Sequence, residues 1–185
     1  VMSKAWNKKI FKHIQEHVDQ ASKDLADERG PCPDAADYGY NERFSNKTAI
    51  APTASISIIC GGASPGVEPV AANSYTHKTL SGSFNVRNRY LVELLEKHGK
   101  NTDDVWSGIT TNQGSVSHLD FLTDLEKDVF KTAFELDQKW IIELSGDRTP
   151  FISQAQSINL FVPADIHKRE LHKIHFDAWK KGLKS

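Results

Sequence analysis

A segment rich in small hydroxyl residues follows an apolar run near the end of the first third of the chain. Pro52 interrupts the run, and Thr53, Ser55 and Ser57 follow it at alternate positions. Backbone N–H groups at the start of a helix lack intrahelical partners and carry partial positive charge, so they attract anions. Hydroxyl groups at the same place add donors for phosphate oxygens. Thr53, Ser55 and Ser57, with the small Ala54 between them, could therefore form an anion-binding segment.

The same residue types have a commoner use, because Ser and Thr often cap a helix without binding any ligand. Spacing alone leaves both interpretations open for Thr53 and Ser55. Cys60 lies close by in the sequence. No histidine or cation is placed near it to activate a nucleophile, which favours a buried structural thiol.

A second polar stretch surrounds an apolar run at 157–162. Since polar turns are common before strands, the favoured interpretation is a strand whose polar face is solvated or satisfied internally. Its polar members are Asp147, Arg148, Gln154, Gln156, Ser157 and Asn159.

Histidines occur in pairs at helical spacing, as in His13 and His17, or His172 and His175. Such pairs can bind a metal, but no acidic or cysteine partner completes a known spacing here. We therefore predict surface histidines and no metal site. The sequence contains no nucleophile-elbow, Walker-type or dinucleotide-binding glycine motif, and no catalytic residue is predicted.

The composition is that of an ordinary globular protein, with 185 residues, 38% hydrophobic residues and a net charge of -1. The balanced charge gives no indication of nucleic-acid binding, and no apolar run is long enough for a membrane span. Two cysteines are too few for a disulfide framework, which favours the cytoplasm. We expect one domain over 1–185.

Hydrophobic periodicity and turn residues predict many helices and few strands. The predicted helices cover 3–29, 53–60, 88–99, 101–109, 122–147 and 165–182. Strands are predicted at 47–51 and 157–162, and an irregular or hairpin-like extended segment at 70–86. The apolar stripe of the first helix is Trp6, Ile10, Ile14, Val18, Ala21 and Leu25. The positions predicted to be buried in the last helix are Leu171, Ile174, Phe176 and Trp179. Two strands cannot form an independent sheet of useful size, so this order favours part of a larger α/β barrel.

Several segments in a fixed order resemble one known family. They are "RGPCP", "AIAPTASISIICGGASPGVEPVAANSYTHKTLSGSFNVRNRYLVELLEKHG", "FISQAQSINLFV" and "HFDAWKKGLKS". Together they resemble the C-terminal part of the large (catalytic) subunit of ribonucleotide reductase, and "LSGSFNVRNRYL" is closer to class I than to the cobalamin-dependent class. The resemblance implies an α/β fold, namely the C-terminal segment of that family's ten-stranded barrel, mostly helical with few strands.

The resemblance also implies a function. The family reduces ribonucleotides to deoxyribonucleotides for DNA synthesis by thiyl-radical chemistry. In class I the resemblance places the substrate diphosphate on Pro52, Thr53, Ala54, Ser55, Ile56 and Ser57. Ile56 departs from the family, which often has Thr or Ser there. Implied partners are the ribonucleoside diphosphate, the rest of the large subunit and a radical-generating metal subunit (or cobalamin in class II), with a dithiol reductant. This segment would itself bind no cofactor.

The family's catalytic cysteines do not match Cys32 or Cys60, and its Asn-x-Cys-x-Glu finger-loop pattern is absent from these 185 residues. We therefore expect this segment to be inactive without the rest of the large subunit. One alternative is a non-catalytic helical binding or assembly module derived from the barrel. A weaker alternative is an unrelated phosphate-binding α/β enzyme.

Overall fold

The computed structural model describes residues 2–80 and 82–184. The chain divides into two compact units that are each discontinuous in sequence. The first contains the residues up to 52 together with 139–158 and those from 165 onward; the second contains 53–138 and 159–164. The prediction of a single domain over 1–185 stays a prediction.

Helices account for most of the regular structure. They are α1 (Met2–Arg29), α2 (Pro33–Asp37), α3 (Ala54–Ile59), α4 (Arg89–Lys97), α5 (Asp103–Thr111), α6 (Asp124–Val129), α7 (Lys139–Arg148) and α8 (Lys168–Lys180), with 3-10 turns at Ala133–Glu135 and Thr149–Phe151. The described residues also form two strands, β1 (Ser74–Thr79) and β2 (Gly82–Arg87). In the described part of the chain, no helix is both long and apolar enough to cross a membrane.

In the first unit, α1 packs on α7 through a polar face. Asn7 Nδ2 donates to the Leu144 carbonyl at 2.8 Å, and Lys4 Nζ donates to Glu143 at 2.9 Å. The prediction of a helix is confirmed, but its apolar stripe is not the face that packs against α7. Trp6 is 55% exposed and Ile10 is 49% exposed. The packed face instead carries groups that bond across to α7.

Helix α8 begins and ends within its predicted range, but it lacks the predicted burial. Leu171, Phe176 and Trp179 are exposed, and Ile174 is half-buried. Phe176 and Trp179 stack on each other with ring centroids 5.4 Å apart. The predicted positions therefore lie on the expected helix, but they are not buried.

Neither predicted strand, at 47–51 or 157–162, forms as a strand. Ile50 makes one parallel bridge with Gln156, just before the second predicted range. Ile50 N–H donates to the Ala155 carbonyl at 3.2 Å, and Ser157 N–H donates to the Ile50 carbonyl at 2.8 Å. A parallel ladder is stable when flanking strands and covering helices surround it. Among the described residues neither segment has a second neighbouring strand, so the ladder does not extend.

The second unit is built around the predicted extended segment, which forms an antiparallel hairpin pairing Ser74 with Arg87 and Thr79 with Gly82. Ser81, within the hairpin connection, lies outside the described residues. Below the hairpin, α4 and α5 bury a core made of Leu91, Leu95, Trp106, Ile109, Val116, Leu119 and Leu122. Asn88, the first residue of the helix predicted over 88–99, caps α4, because its Oδ1 accepts from the Tyr90 N–H.

The continuous helix predicted over 122–147 is wrong. Thr123 and Glu126 form a capping box that starts α6, and Thr132 and Glu135 form a second box that starts a 3-10 turn. Each box satisfies free N–H groups at a new start, so the chain turns between them. The apolar spacing alone did not distinguish one long helix from these shorter ones.

Candidate functional site

The predicted phosphate-binding segment begins at a backbone reversal. Thr53 has φ 51° and ψ 27°, in the left-handed region, and α3 starts at the next residue. The first hydrogen bond of this helix runs from the Ser57 N–H to the Thr53 carbonyl at 2.9 Å. The preceding N–H groups of Ala54, Ser55 and Ile56 therefore have no intrahelical acceptor and can donate to an anion.

The three hydroxyl groups of this segment have different surroundings. Ser57 is buried, and its Oγ donates to the Ala54 carbonyl at 2.9 Å. Thr53 Oγ1 accepts from the Gly66 N–H at 2.7 Å and keeps its own hydrogen as a donor. Ser55, like Pro52, Ala54 and Ile56, is exposed. Ser55 and Thr53 are consequently better placed than Ser57 to donate to a ligand.

A buried carboxylate lies in the loop that contacts Thr53. Glu68 is 5% exposed, and its Oε2 accepts from the Val67 N–H at 3.1 Å. Its Oε1 accepts from both the backbone N–H and the Nδ2 of Asn159, at 2.6 and 3.2 Å. Sequence reasoning missed Glu68. The only local signal was one carboxylate between Val67 and Pro69, in a loop of small residues.

A cleft of about 520 Å³ opens in the second unit, beyond the C-terminal end of α3. Gly61 has φ +91°, and a Cβ built on it would lie 3.1 Å from Arg89 Nη1. Arg89 Nη2 donates to Tyr90 Oη at 2.6 Å, and this hydrogen bond raises the pKa of Arg89. The cleft thus combines cations and the Glu68 carboxylate with apolar walls. Its lining does not include Pro52–Ser57, which lie at the opposite end of α3.

The second polar stretch is divided between the units. In the first unit, Arg148 Nε donates to Gln156 Oε1 at 2.6 Å, and Arg148 Nη2 donates to Ser145 Oγ at 2.7 Å. Both Arg148 and Gln156 are buried. This part matches the interpretation of internally satisfied polar groups. Asn159 instead belongs to the second unit, where it bonds to Glu68.

Neither the histidines nor the cysteines form a cluster suited to metal binding. Within 2–80 and 82–184, no three His, Cys, Asp or Glu side chains are grouped as metal ligands. The rings of His13 and His17 lie 4.0 Å apart on α1. Cys60 is exposed, so the prediction of a buried thiol is wrong: it follows the last residue of the short helix α3.

Comparison with known proteins gives the same family in sequence and in structure. A family profile described as "Ribonucleotide reductase, barrel domain" matches residues 34–185. The chain is 49% identical over 180 residues to the ribonucleoside-diphosphate reductase large subunit of Invertebrate iridescent virus 6, covering 95% of this chain and 19% of that protein. The corresponding protein of Invertebrate iridescent virus 3 is 45% identical, with 97% and 29% covered.

A solved structure shows the same fold. The class Id ribonucleotide reductase alpha subunit of Actinobacillus ureae superimposes with a TM-score of 0.88 at 38% identity, covering 99% of this chain and 33% of that one. The predicted fold class is confirmed. The chain spans about a fifth to a third of the length of these relatives.

Proposed function

The chain belongs to the ribonucleotide reductase barrel-domain family, and from this premise we propose that it is part of the catalytic barrel of a class I ribonucleoside-diphosphate reductase large subunit. Its specific role is to hold the diphosphate of the substrate on Pro52–Ser57. The observation that carries this role is the left-handed Thr53, after which three backbone N–H groups lack intrahelical acceptors.

A diphosphate suits this segment chemically. Backbone N–H groups bind phosphate oxygens without adding side-chain charge, and the helix dipole favours the anion. Thr53 and Ser55 supply further hydroxyl donors, while the exposed Ala54 leaves room for close approach. Ile56 supplies a backbone N–H only, so the main chain carries more of the binding at that position.

The redox chemistry belongs, in this proposal, to residues outside this chain. Reduction replaces the 2′-hydroxyl of the ribose by hydrogen, the hydroxyl leaves as water, and a dithiol is oxidised to a disulfide. Abstraction of the 3′ hydrogen requires a cysteine thiyl. Cys32 and Cys60 do not match the family's catalytic positions, so this chain positions the substrate while other cysteines react with it.

A class I enzyme also needs a radical-generating metal subunit. The described residues do not fit such a metal, since no group of three suitable ligands comes together among them. We assign the metal to the small subunit and the remaining catalytic residues to the rest of the large subunit. The cytoplasmic location inferred from the cysteine content is part of the same proposal.

A segment exchange tests this function. Residues 34–185 would replace the matching segment of the Invertebrate iridescent virus 6 large subunit, which would then be assayed with its small subunit for reduction of a ribonucleoside diphosphate. We expect activity in the exchanged protein, and a KM raised about tenfold by Thr53→Ala, which removes one hydrogen-bonding hydroxyl. Thr53→Ser, which keeps the hydroxyl, is the matched control. A folded, assembled protein without reductase activity would favour the non-catalytic module instead.

A further inference from the structure

Glu68 is a buried carboxylate that the proposed binding of diphosphate does not use directly. None of the ion pairs in the described part of the chain involves it. A buried charge is costly unless hydrogen bonds satisfy it. We propose that Glu68 is a positioning residue that holds Thr53 in its left-handed conformation, acting through Gly66; this inference rests on the proposed phosphate-binding role of Pro52–Ser57.

The first step of the argument is what fixes Glu68. One carboxylate oxygen accepts two donors from Asn159, at 2.6 and 3.2 Å, across 91 positions of the sequence. The other accepts from the neighbouring Val67 N–H at 3.1 Å. Hydrogen bonds to an ionised acceptor are the stronger ones. Glu68 therefore ties the 66–68 backbone to the segment that follows Ile158.

The second step is the close fit between Glu68 and Gly66. Gly66 has φ +64°, and a Cβ built on it would lie 2.6 Å from Glu68 Oε2. Only glycine leaves this position open while adopting a left-handed conformation without strain. The carboxylate thus lies directly against the backbone of Gly66.

The third step connects Gly66 to the binding segment. The Gly66 N–H donates to Thr53 Oγ1 at 2.7 Å. Left-handed conformations are unfavourable for a β-branched residue such as Thr53, and they persist where surrounding contacts hold them. The Gly66 N–H is such a contact. Since Thr53 precedes α3, its conformation sets the direction of the free N–H groups at Ala54–Ile56.

A carboxylate is required because all three groups facing Glu68 are N–H donors. Glutamine has nearly the same shape but carries an NH₂ group in place of one oxygen. In Glu68→Gln that group would face either the Val67 N–H or the two Asn159 donors. Glu68→Gln would therefore lose the hydrogen bonds on one side of the carboxylate, while the volume of the side chain stays the same.

The test uses the holoenzyme, with this chain in its complete large subunit together with the small subunit. KM and kcat for a ribonucleoside diphosphate would be measured for Thr53→Ala, Glu68→Gln and the double variant, with Glu16→Gln, exposed on α1, as the control. Thermal unfolding would be recorded for each. We expect both single variants to raise KM about tenfold while kcat stays within about threefold.

The double variant distinguishes positioning from a general structural role. If Glu68 acts through Thr53, the two changes are not additive, and the double variant raises KM no more than about tenfold. If the double variant instead raises KM about a hundredfold, which is the product of the two single effects, the inference about Glu68 is overturned. The proposed binding role of Pro52–Ser57 would still hold in that case. A lower or unchanged KM in Glu68→Gln would also overturn the inference. If Thr53→Ala leaves KM unchanged, the proposed binding segment itself is wrong, and the inference fails with it.

If Glu68→Gln unfolds the protein, Asn159→Ala takes the place of that variant in the test. This variant removes one of the three donors at an exposed residue and keeps the backbone N–H. We expect a KM increase of about threefold that disappears in the Thr53→Ala background. An unchanged KM, or an equal increase in that background, would overturn the inference.

Discussion

Arg148 shows how the first unit accommodates a buried charge. Its guanidinium donates to Gln156 and Ser145 and lies over the ring of Phe11, 5.7 Å from the ring centroid. Gln156 in turn donates to the Ser145 carbonyl at 3.0 Å. The planar guanidinium of arginine has several N–H donors and can bond to both partners at once. The ammonium group of lysine cannot reproduce this arrangement.

Arg148→Lys is therefore expected to destabilise the protein although it keeps the charge. Gln156 Oε1 would lose its donor in a buried place, which costs about 2 kcal/mol of unfolding free energy. Urea denaturation followed by circular dichroism measures the change. Arg29→Lys, at an exposed residue of α1, is the matched control and should stay within about 0.5 kcal/mol. A similarly small change in Arg148→Lys would contradict this account of the network.

The residues of the candidate site were only partly predictable. The sequence around Thr53 is typical of an anion-binding segment or of a helix cap, because hydroxyl residues follow Pro52. It does not show the left-handed conformation, which depends on Gly66, 13 positions away. Glu68 was not predictable as a buried acceptor because its partner, Asn159, is 91 positions away. Local spacing identifies residue types, while such distant contacts fix their geometry.

At the scale of elements, Glu143 joins three parts of the first unit. Its carboxylate accepts from Lys4 on α1 and pairs with Lys181, just after α8. The hydrogen bond from Lys4, followed by that from Lys181, lowers the pKa of Glu143 to about 2. The ionised form is thus stabilised in the folded chain relative to an unfolded glutamate, whose pKa is about 4.3.

This shift predicts a pH dependence with a definite sign. The contribution of Glu143 is present above about pH 4.3 and is lost as the pH falls toward 2. Glu143→Gln should lower the midpoint of thermal unfolding at pH 6, and the difference from the parent chain should shrink on acidification. Melting curves between pH 6 and 2.5 measure this, with Glu16→Gln as the exposed control. A difference that stays constant with pH would show that Glu143 acts through its shape alone.

The elements themselves were predicted well where local signals determine them. The helix predicted over 3–29 ends where Gly30 follows α1, and the helix predicted over 88–99 begins at the N-cap residue Asn88. Which face of α1 is inward was not predictable, because its packed face contains Lys4 and Asn7, whose partners lie on α7. Two Thr-x-x-Glu boxes mark the break within 122–147, but the apolar periodicity of the segment runs through both of them and favours one helix.

At the scale of the whole molecule, the chain spans about a fifth to a third of its relatives. Large apolar side chains such as Trp6, Ile10 and Trp179 are exposed. Exposed apolar groups of this size often mark contact surfaces. These residues are consistent with a chain that forms part of a larger barrel.

The chain by itself should bind a ribonucleoside diphosphate weakly and should not reduce it. Most of the proposed binding segment is exposed to water, where hydrogen bonds to an anion are weak. We expect a dissociation constant of about 1 mM or weaker, equivalent to about 4 kcal/mol of binding free energy. Equilibrium dialysis against a labelled diphosphate measures it, with Thr53→Ala as the comparison. Micromolar binding that Thr53→Ala leaves unchanged would locate the nucleotide elsewhere, and turnover by the chain alone would contradict the assignment of the reacting cysteines to the rest of the large subunit.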